Sequence, residues 1–293
     1  ARDCEDERTL LDETEIWKVL EDQGITPEHV KILRAVIYSH HVRTADRWRV
    51  GRIFLAGDAA HAMPPWIGQG MCAGVRDVAN LCWKLHAVMS GALPETVLDT
   101  YQAERLPHVR EVTNRAVKVG KVIVDRHSMR AALRRRVFRT ASKLPGFNTW
   151  LREHRWLPPA RYEVGLLVKN GNAATGWLIP QPWVLDSQGE RVRFDDVVGG
   201  RWTVLHTGAD TLAQPWRQAG VPVMRIAPAG SAPKANQIVD CDGALTRWLQ
   251  DKKTTVVALR PDGFVYAGGD SDHPLPPPPA GFAAPTIRVK DYA

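Results

Sequence analysis

Gly51-Arg-Ile-Phe-Leu-Ala-Gly-Asp-Ala-Ala-His61, followed by a Pro-Pro-Trp loop and Gly68-Gln-Gly70, is the stretch that decides the fold of this chain. Ile53 to Ala56 are apolar without alternation, which predicts a buried strand covered on both faces in an α/β sheet. Gly57 allows a tight turn. Asp58 then stands at the carboxyl end of the strand, where open α/β sheets bind ligands. The stretch therefore predicts a ligand-binding turn that presents a carboxylate.

An amphipathic helix is predicted directly after the loop. One apolar helical face is marked by residues at steps of three and four, namely Met71, Val75, Val78, Cys82, Leu85 and Met89. Because the helix begins after Gly68-Gln69-Gly70, its first N–H groups are unpaired and sterically open. Such a terminus attracts negative charge. A carboxylate for ligand hydroxyls and a helix terminus for an anion together suit a polyol-linked cofactor that forms an anion.

This stretch resembles the second FAD-binding motif of the class A flavoprotein monooxygenases, the aromatic ring hydroxylases. Within that family it most resembles the 3-(3-hydroxyphenyl)propionate hydroxylase and phenol hydroxylase branch. The resemblance begins at about Trp17 and runs through Arg47-Trp48-Arg49 and Gly57-Asp58 to Tyr101-Gln-Ala-Glu-Arg-Leu-Pro107. A fainter similarity follows at Leu259-Arg-Pro-Asp-Gly263. This last segment is typical of the thioredoxin-like C-terminal domain of the family. Only the part from Gly51 to Leu85 is sharply diagnostic.

The resemblance implies an α/β fold with three sections. Residues 1–50 are expected to be the end of the substrate-binding domain and its sheet. Residues 51–160 are expected to be the C-terminal part of a glutathione-reductase-like Rossmann FAD-binding domain, with long helices. Residues 176–293 are expected to form a thioredoxin-like α/β domain, whose role without a redox dithiol is structural or in dimer contact.

Local patterns along the chain predict short elements that fit these sections. The predicted helices are Glu15 to Asp22, a long stretch from about Glu95 towards Arg139, and Ala244 to Gln250. The predicted strands are Ile32 to Val42, Trp202 to His206, Val221 to Ile226 and Thr254 to Leu259. Asp262-Gly263 lies between two apolar runs and predicts a β-hairpin.

The chain lacks the G-x-G-x-x-G turn with which this family holds the ADP half of FAD. Gly68-Gln69-Gly70 follows a Pro-Pro loop and does not have the strand context that such a turn requires. The chain also starts at Ala1 within what resembles a substrate-domain segment. We therefore expect it to be the C-terminal part of a longer enzyme; the alternative is a complete protein that carries only the motif.

The resemblance assigns cofactor contacts to the turn, the loop and the start of the helix. Asp58 is expected to bind ribityl hydroxyls of FAD through charge-assisted hydrogen bonds. The backbone from Gly68 to Met71 is expected to face the pyrimidine edge of the isoalloxazine, where the helix dipole would stabilise negative charge near N1 of the reduced flavin. The expected cofactor-binding residues are Gly57, Asp58, Pro65, Gly68, Gln69, Gly70, Met71 and Cys72. The residues expected beside the substrate are Pro64, Pro65 and Trp66.

Other polar residues near the motif receive structural interpretations. His61 is interpreted as a structural histidine buried under the loop, and Arg76 with Asp77 as a helix-surface or interdomain pair. Cys72 stands where many relatives carry Asn, which leaves the backbone contact intact but puts a side-chain contact in doubt. The residues that activate the phenol are expected upstream of Ala1, so no catalytic residue is named.

The resemblance implies that NADH or NADPH reduces FAD and that a C4a-hydroperoxyflavin hydroxylates a phenolic ring in aromatic catabolism. The expected substrate is similar to 3-(3-hydroxyphenyl)propionate, with O₂ as co-substrate, and a homodimer is a further expectation. Two other functions stay open. One is a hydroxylase of polyketides or quinones with the same fold, and the other is a non-catalytic interaction module built around the thioredoxin-like section.

Composition disfavours several other classes of protein. The net charge of +7 is concentrated between Arg126 and Arg139, where Met129, Leu133 and Val137 form a helical stripe. The arginines are therefore interpreted as solvated helix faces and not as a nucleic-acid site.

No apolar run approaches the roughly 18 residues of a membrane span. The four cysteines form no C-x-x-C pair and no metal-ligand spacing, which is typical of reduced thiols in a cytoplasmic protein without a bound metal.

Overall fold

The computed structural model describes residues 12–38, 40–124, 128–208 and 213–283. Two compact units make up the chain, residues 1–41 and residues 42–293. In the first unit, helix α1 (Glu13–Glu21) begins at Asp12, whose side chain accepts a hydrogen bond from the Thr14 N–H at 2.8 Å. This cap satisfies one of the unpaired donors of the first turn, and it confirms the predicted helix.

The strand predicted over Ile32 to Val42 is wrong for the part of that segment that the structure describes. No strand forms there, and Leu33, Val36 and Tyr38 are exposed. The apolar pattern is typical of a strand, but a strand needs a neighbour to satisfy its backbone N–H and C=O groups. Among the described residues no strand pairs with this segment.

The second unit opens with two pairs of very short antiparallel strands. Strands β1 (Arg43–Thr44) and β4 (His61–Ala62) form one pair, and β2 (Arg49–Val50) and β3 (Ile53–Phe54) form the other. The prediction of a strand buried on both faces at Ile53 to Ala56 is wrong, because Ile53 is 71% exposed. Strand β3 pairs only with β2 within the described residues, so no larger sheet surrounds it.

A helical layer follows. A 3-10 turn (Gly57–Ala59) separates β3 from β4, and a second (Pro65–Ile67) leads into the next helix. The helices are α2 (Gly70–Met89), α3 (Thr100–Val124), α4 (Ser128–Ala141) and α5 (Phe147–Arg152), with a 3-10 segment at Glu95–Asp99 before α3. The predicted long helical stretch is thus present as several pieces, and residues 125–127 lie outside the described ranges. On α4, the arginines at 135, 136 and 139 are exposed as predicted, but so is the apolar stripe of Met129, Leu133 and Val137.

The C-terminal section is built around one mixed sheet of seven strands within the described residues. The strands are β5 (Trp183–Leu185), β6 (Arg191–Arg193), β7 (Thr203–His206), β8 (Val223–Ala227), β9 (Gln237–Asp240), β10 (Val256–Leu259) and β11 (Val265–Gly269). Their order is β11-β10-β7-β8-β9-β5-β6, with β7, β8 and β9 parallel and the other pairs antiparallel. Helices α6 (Phe194–Val198), α7 (Gln214–Gln218) and α8 (Ala244–Asp251) connect them.

Both faces of this sheet are covered, which explains its continuous apolar strands. Neighbouring residues on one strand enter opposite clusters, as a period of two requires. Leu205 and Val257 pack with Leu245 and Leu249 of α8 on one face, whereas Val204 and its neighbours lie on the other. The strands predicted at β7, β8 and β10, the helix at α8 and the Asp262-Gly263 hairpin are confirmed. Strands β5, β6 and β9 were not predicted.

No helix in the described ranges combines the length and the apolar character needed to cross a lipid bilayer.

Candidate functional site

The predicted ligand-binding turn lies against the first turns of α2. Gly57 has a φ of 58°, in the left-handed region that favours glycine. A Cβ atom on Gly74 would lie 3.3 Å from the Gly57 Cα, so the turn and the helix make close backbone contact. At the tip of the turn Asp58 is exposed, and its carboxylate accepts no hydrogen bond from the described residues. The turn therefore presents an open carboxylate beside the start of a helix.

The loop before α2 brings the other predicted contact residues to the same end of the helix. Pro64 is buried, whereas Pro65 and Trp66 are exposed. Gly68, with a φ of 63°, closes the second 3-10 turn. Gln69 is the N-terminal cap residue of α2, and its side chain makes no capping hydrogen bond. The first N–H groups of α2 therefore have no side-chain acceptor from this residue.

Trp66 fixes the loop against α3. Its ring lies directly over Gly120, and a Cβ atom at that position would overlap the indole. Glycine at 120 is therefore required by a close approach, although it lies in the interior of a helix. The contact holds the loop between α2 and α3.

Most of the apolar stripe predicted along α2 does not face the core, and of its residues only the half-buried Leu85 packs against core clusters. Met71 is 81% exposed and Met89 85%, while Val75, Val78 and Cys82 are also exposed. The buried residues of α2 are instead Ala73, Asp77, Asn80, Leu81, Lys84 and Ala87. The spacing correctly predicted the helix, but its buried face includes the polar side chains of Asp77, Asn80 and Lys84, whose partners include residues on other elements.

Asp77 is the centre of the first buried polar cluster, directly beneath the turn. Its Oδ2 lies 2.6 Å from His61 Nε2 and accepts a hydrogen bond from the Gly57 N–H at 3.0 Å. Its Oδ1 accepts a hydrogen bond from Arg105 Nε at 2.8 Å. Burial raises the pKa of Asp77, but the hydrogen bond with His61 and the charge of Arg105 hold it below its usual value. An ionised carboxylate therefore ties the turn to α2 and α3.

A second buried polar cluster lies further along α2 and includes the C-terminal hairpin. Glu104 of α3 accepts hydrogen bonds from Asn80 Nδ2 at 2.6 Å and from Lys84 Nζ at 2.8 Å. Arg260 binds the same carboxylate through two contacts of 2.8 Å and also contacts Asp262 at 2.6 Å. Burial raises the pKa of Glu104, but the charges of Arg260 and Lys84 lower it to about 2. Two cations and two carboxylates thus balance in the interior.

These clusters test two interpretations made from the sequence. His61 is 2% exposed, which confirms that it is buried under the turn. The interpretation of Arg76 and Asp77 as a pair is wrong, because Asp77 is fully buried and pairs with His61 and Arg105. The signal that could have found it is a second periodicity on α2, in which Asp77, Asn80 and Lys84 recur at steps of three and four.

The described residues hold no cluster that could bind a metal ion, and their cysteines form no disulfide. No group of three or more His, Cys, Asp or Glu side chains there is arranged to hold a metal ion. Cys72, Cys82 and Cys241 are free thiols. Cys4 lies outside the described residues. The open carboxylate of Asp58 and the uncapped start of α2 fit a ligand that carries hydroxyls and develops negative charge.

Comparison with protein families gives two matches along the chain. A family described as FAD binding domain matches residues 2–116. A family described as HcaD C-terminal domain matches residues 176–274. The first match includes the turn, the loop and both polar clusters except for the hairpin residues, which lie in the second.

Among curated proteins, the chain is similar to bacterial hydroxylases. It is 31% identical to the 3-(3-hydroxy-phenyl)propionate/3-hydroxycinnamic acid hydroxylase of Burkholderia cenocepacia, over 99% of this chain and 55% of that protein. It is 36% identical to the hydroxylase of the same name from Mycolicibacterium gilvum, over 82% of this chain and 46% of that protein. The chain thus spans about half the length of the curated relatives that it matches.

Among solved structures, the fold is similar to that of the flavin-dependent monooxygenase PieE in complex with FAD and substrate. The TM-score is 0.67 at 24% sequence identity, over 91% of this chain and 53% of that chain. At this identity the likeness concerns the fold alone.

Proposed function

Because this chain belongs to the class A flavoprotein monooxygenases, whose cofactor is FAD, we propose that it takes part in hydroxylating a phenolic substrate similar to 3-(3-hydroxyphenyl)propionate. The observation that carries the proposal is the exposed carboxylate of Asp58, packed beside the uncapped N-terminus of α2. The names of the curated relatives support the substrate class. Their shared function is an aromatic hydroxylation.

In the proposed enzyme, Asp58 would accept hydrogen bonds from ribityl hydroxyls of FAD. The backbone from Gly68 to Met71 would face the edge of the flavin ring, where the positive end of the helix dipole favours negative charge. Pro64, Pro65 and Trp66 would border the substrate and help to exclude water. When bound, FAD supplies the redox chemistry, with NADH or NADPH as reductant and O₂ as oxidant.

The proposed domain organisation keeps the boundaries expected from the sequence, at residues 1–50, 51–160 and 176–293. For the last section we propose a thioredoxin-like fold. The supporting observation is its parallel β7–α7–β8 unit, which is joined through α8 to the antiparallel β10–β11 hairpin in the same sheet. The section contains a single cysteine, Cys241, so its role in this proposal involves no dithiol chemistry.

The proposal is tested by turnover with added FAD, in a protein that carries this chain together with the G-x-G-x-x-G turn that the family uses for the ADP half of FAD, because this chain alone is expected to be inactive. We expect oxidation of NADH or NADPH to accelerate when 3-(3-hydroxyphenyl)propionate is present, and one atom of isotopically labelled O₂ to enter the ring. A polyketide phenol of larger size serves as the comparison substrate. Failure to bind FAD at any concentration would remove this function, and turnover of only the larger phenol would replace the substrate class.

A further inference from the structure

Two sequence motifs that are far apart in the chain meet in the second buried polar cluster. Glu104 belongs to the segment Tyr101 to Pro107, and Arg260 belongs to the segment Leu259 to Gly263. Arg260 Nη1 donates to Glu104 Oε1 and Nη2 donates to Oε2, both at 2.8 Å. The two side chains are 1% and 0% exposed. This bidentate pair joins the C-terminal section to α3.

Both carboxylate oxygens of Glu104 are occupied by hydrogen-bond donors. Besides Arg260, Glu104 Oε1 accepts a hydrogen bond from the Leu166 N–H at 2.7 Å, and Oε2 accepts from Asn80 and Lys84. A buried ion pair is weak evidence for stability, since apolar residues of similar volume often stabilise as well. Its geometric demands are strict, however, so a bidentate pair defines the orientation of the groups that it joins.

The next residue along α3 continues the chain of contacts towards the turn. Arg105 donates from Nε to Asp77 Oδ1 at 2.8 Å and from Nη2 to the Ala73 carbonyl at 3.2 Å. Asp77 Oδ2 in turn accepts the Gly57 N–H at 3.0 Å. Glu104 and Arg105 are adjacent and are 2% and 1% exposed. Buried hydrogen bonds therefore run from the C-terminal hairpin to Glu104 and from Arg105 to the residue that precedes Asp58, and the two sets are joined by the adjacency of Glu104 and Arg105 along α3.

We propose that Arg260 and Glu104 are positioning residues for the flavin turn, and that the C-terminal section thereby sets the geometry in which Asp58 meets FAD. The inference rests on the proposed function for the identity of the ligand. It gives the C-terminal section a part in cofactor binding although its described residues make none of the hydrogen bonds to the turn. The coupling passes through Glu104–Arg105 and Asp77 to Gly57.

The test compares Arg260→Met with the matched control Arg191→Met. Arg191 is exposed on β6, at the opposite edge of the same sheet, where it stacks over Trp183. Two readouts are used: the FAD dissociation constant from fluorescence titration, and hydrogen–deuterium exchange of peptides that contain Gly57. We expect Arg260→Met to weaken FAD binding about 5- to 10-fold, the lower end of typical coupling between sites, and to speed exchange at the turn. Arg191→Met should change neither.

A double-mutant cycle separates positioning from a general structural effect. Asp77→Asn removes part of the connection to Gly57. If Arg260 acts through Asp77, Arg260→Met should add little to either readout in the Asp77→Asn background. Arg260→Lys, which keeps the charge but not the bidentate fork, should lie between the wild type and Arg260→Met.

Two results would overturn the proposal: full additivity of Arg260→Met and Asp77→Asn, or a folded Arg260→Met protein with unchanged exchange at the turn. If circular dichroism shows that Arg260→Met does not fold, the same cycle is carried out with Arg260→Lys, and its result decides. If the wild-type protein binds no FAD, the proposed function fails, while the exchange readout still decides whether the hairpin positions the turn.

Discussion

Asp58 is the residue on which the proposed cofactor site depends most directly, since its carboxylate is exposed at the tip of the turn and accepts no hydrogen bond from the residues that the structure describes. We expect Asp58→Ala to weaken FAD binding by about 1.5–3 kcal/mol, the scale of a hydrogen bond to a charged group. The measurement is a flavin fluorescence titration, with the exposed Asp251→Ala as control. Equal FAD affinity in wild type and Asp58→Ala would remove this residue from the site.

We expect the free energy of unfolding to depend on pH through the buried side chain of His108. Burial, with the charges of Arg105 and Arg76, lowers its pKa from 6.5 to about 4. Between these values the unfolded chain binds more protons than the folded chain, so the contribution of His108 is present above pH 6.5 and is lost as the pH falls towards 4. We expect His108→Gln to reduce this loss.

Urea unfolding of wild type and His108→Gln at several pH values in this window measures the difference. The exposed His86→Gln is the matched control, and it should follow the wild type. Parallel stability curves for wild type and His108→Gln would show that burial does not keep this imidazole neutral.

At the residue scale, local signals in the sequence are enough to propose Asp58 as a binding residue, since a glycine precedes it and a helix follows shortly after it. The buried partners of Asp77 and Glu104 could not be predicted in this way, because Arg105 and Arg260 lie 28 and 156 positions away. A charged residue on a helix is ordinarily interpreted as solvated, and only the three-dimensional contacts reverse that interpretation.

At the scale of elements, α2 shows how a pattern can predict a helix and still not identify its buried face. The apolar spacing from Met71 to Met89 is helical, and the helix spans Gly70–Met89 as expected. Its buried side nevertheless carries three polar residues whose partners lie on other elements. Strand β3 is a similar case, since four apolar residues in a row do not ensure that neighbouring strands are present to cover them.

The two faces of α2 predict different responses to substitution. Val78→Ser, on the exposed face, should change the free energy of unfolding by less than about 0.5 kcal/mol. Leu81→Ala, on the buried face, should cost about 2–5 kcal/mol, because it leaves a cavity in the core around Trp48 and Tyr101. Chemical denaturation of both variants is the measurement. Similar losses in the two would mean that the apolar stripe of α2 is covered in solution.

At the scale of the whole molecule, the C-terminal sheet was the most predictable part. Its strands are buried on both faces and are separated by strong turn signals, such as Asp262-Gly263. The first unit was the least predictable, since the apolar run that begins at Ile32 has no strand beside it in the described residues. Sequence patterns predict an element correctly where a complete core surrounds it. They fail where the structure of a segment depends on whether neighbouring strands are present to pair with it.

This chain by itself is expected to bind FAD weakly. The proposed contacts come from Asp58 and the start of α2, whereas the G-x-G-x-x-G turn that this family uses for the ADP half is absent from the sequence. Purified protein should therefore be colourless and take up FAD only at high concentration. Copurification with a stoichiometric flavin spectrum would show that the contacts in this chain suffice.

The close approach of Trp66 to Gly120 limits how this protein can diversify. Alanine in place of a glycine inside a helix is favoured by about 1 kcal/mol, so helix propensity alone would favour alanine at position 120. The indole above it forbids any side chain there. Positions 66 and 120 are therefore expected to co-vary: a larger residue on the helix becomes acceptable only in a lineage that has already lost the tryptophan. Since Trp66 belongs to the loop proposed to border the substrate, the evolutionary history of substrate preference would then leave its trace in a helix outside that loop.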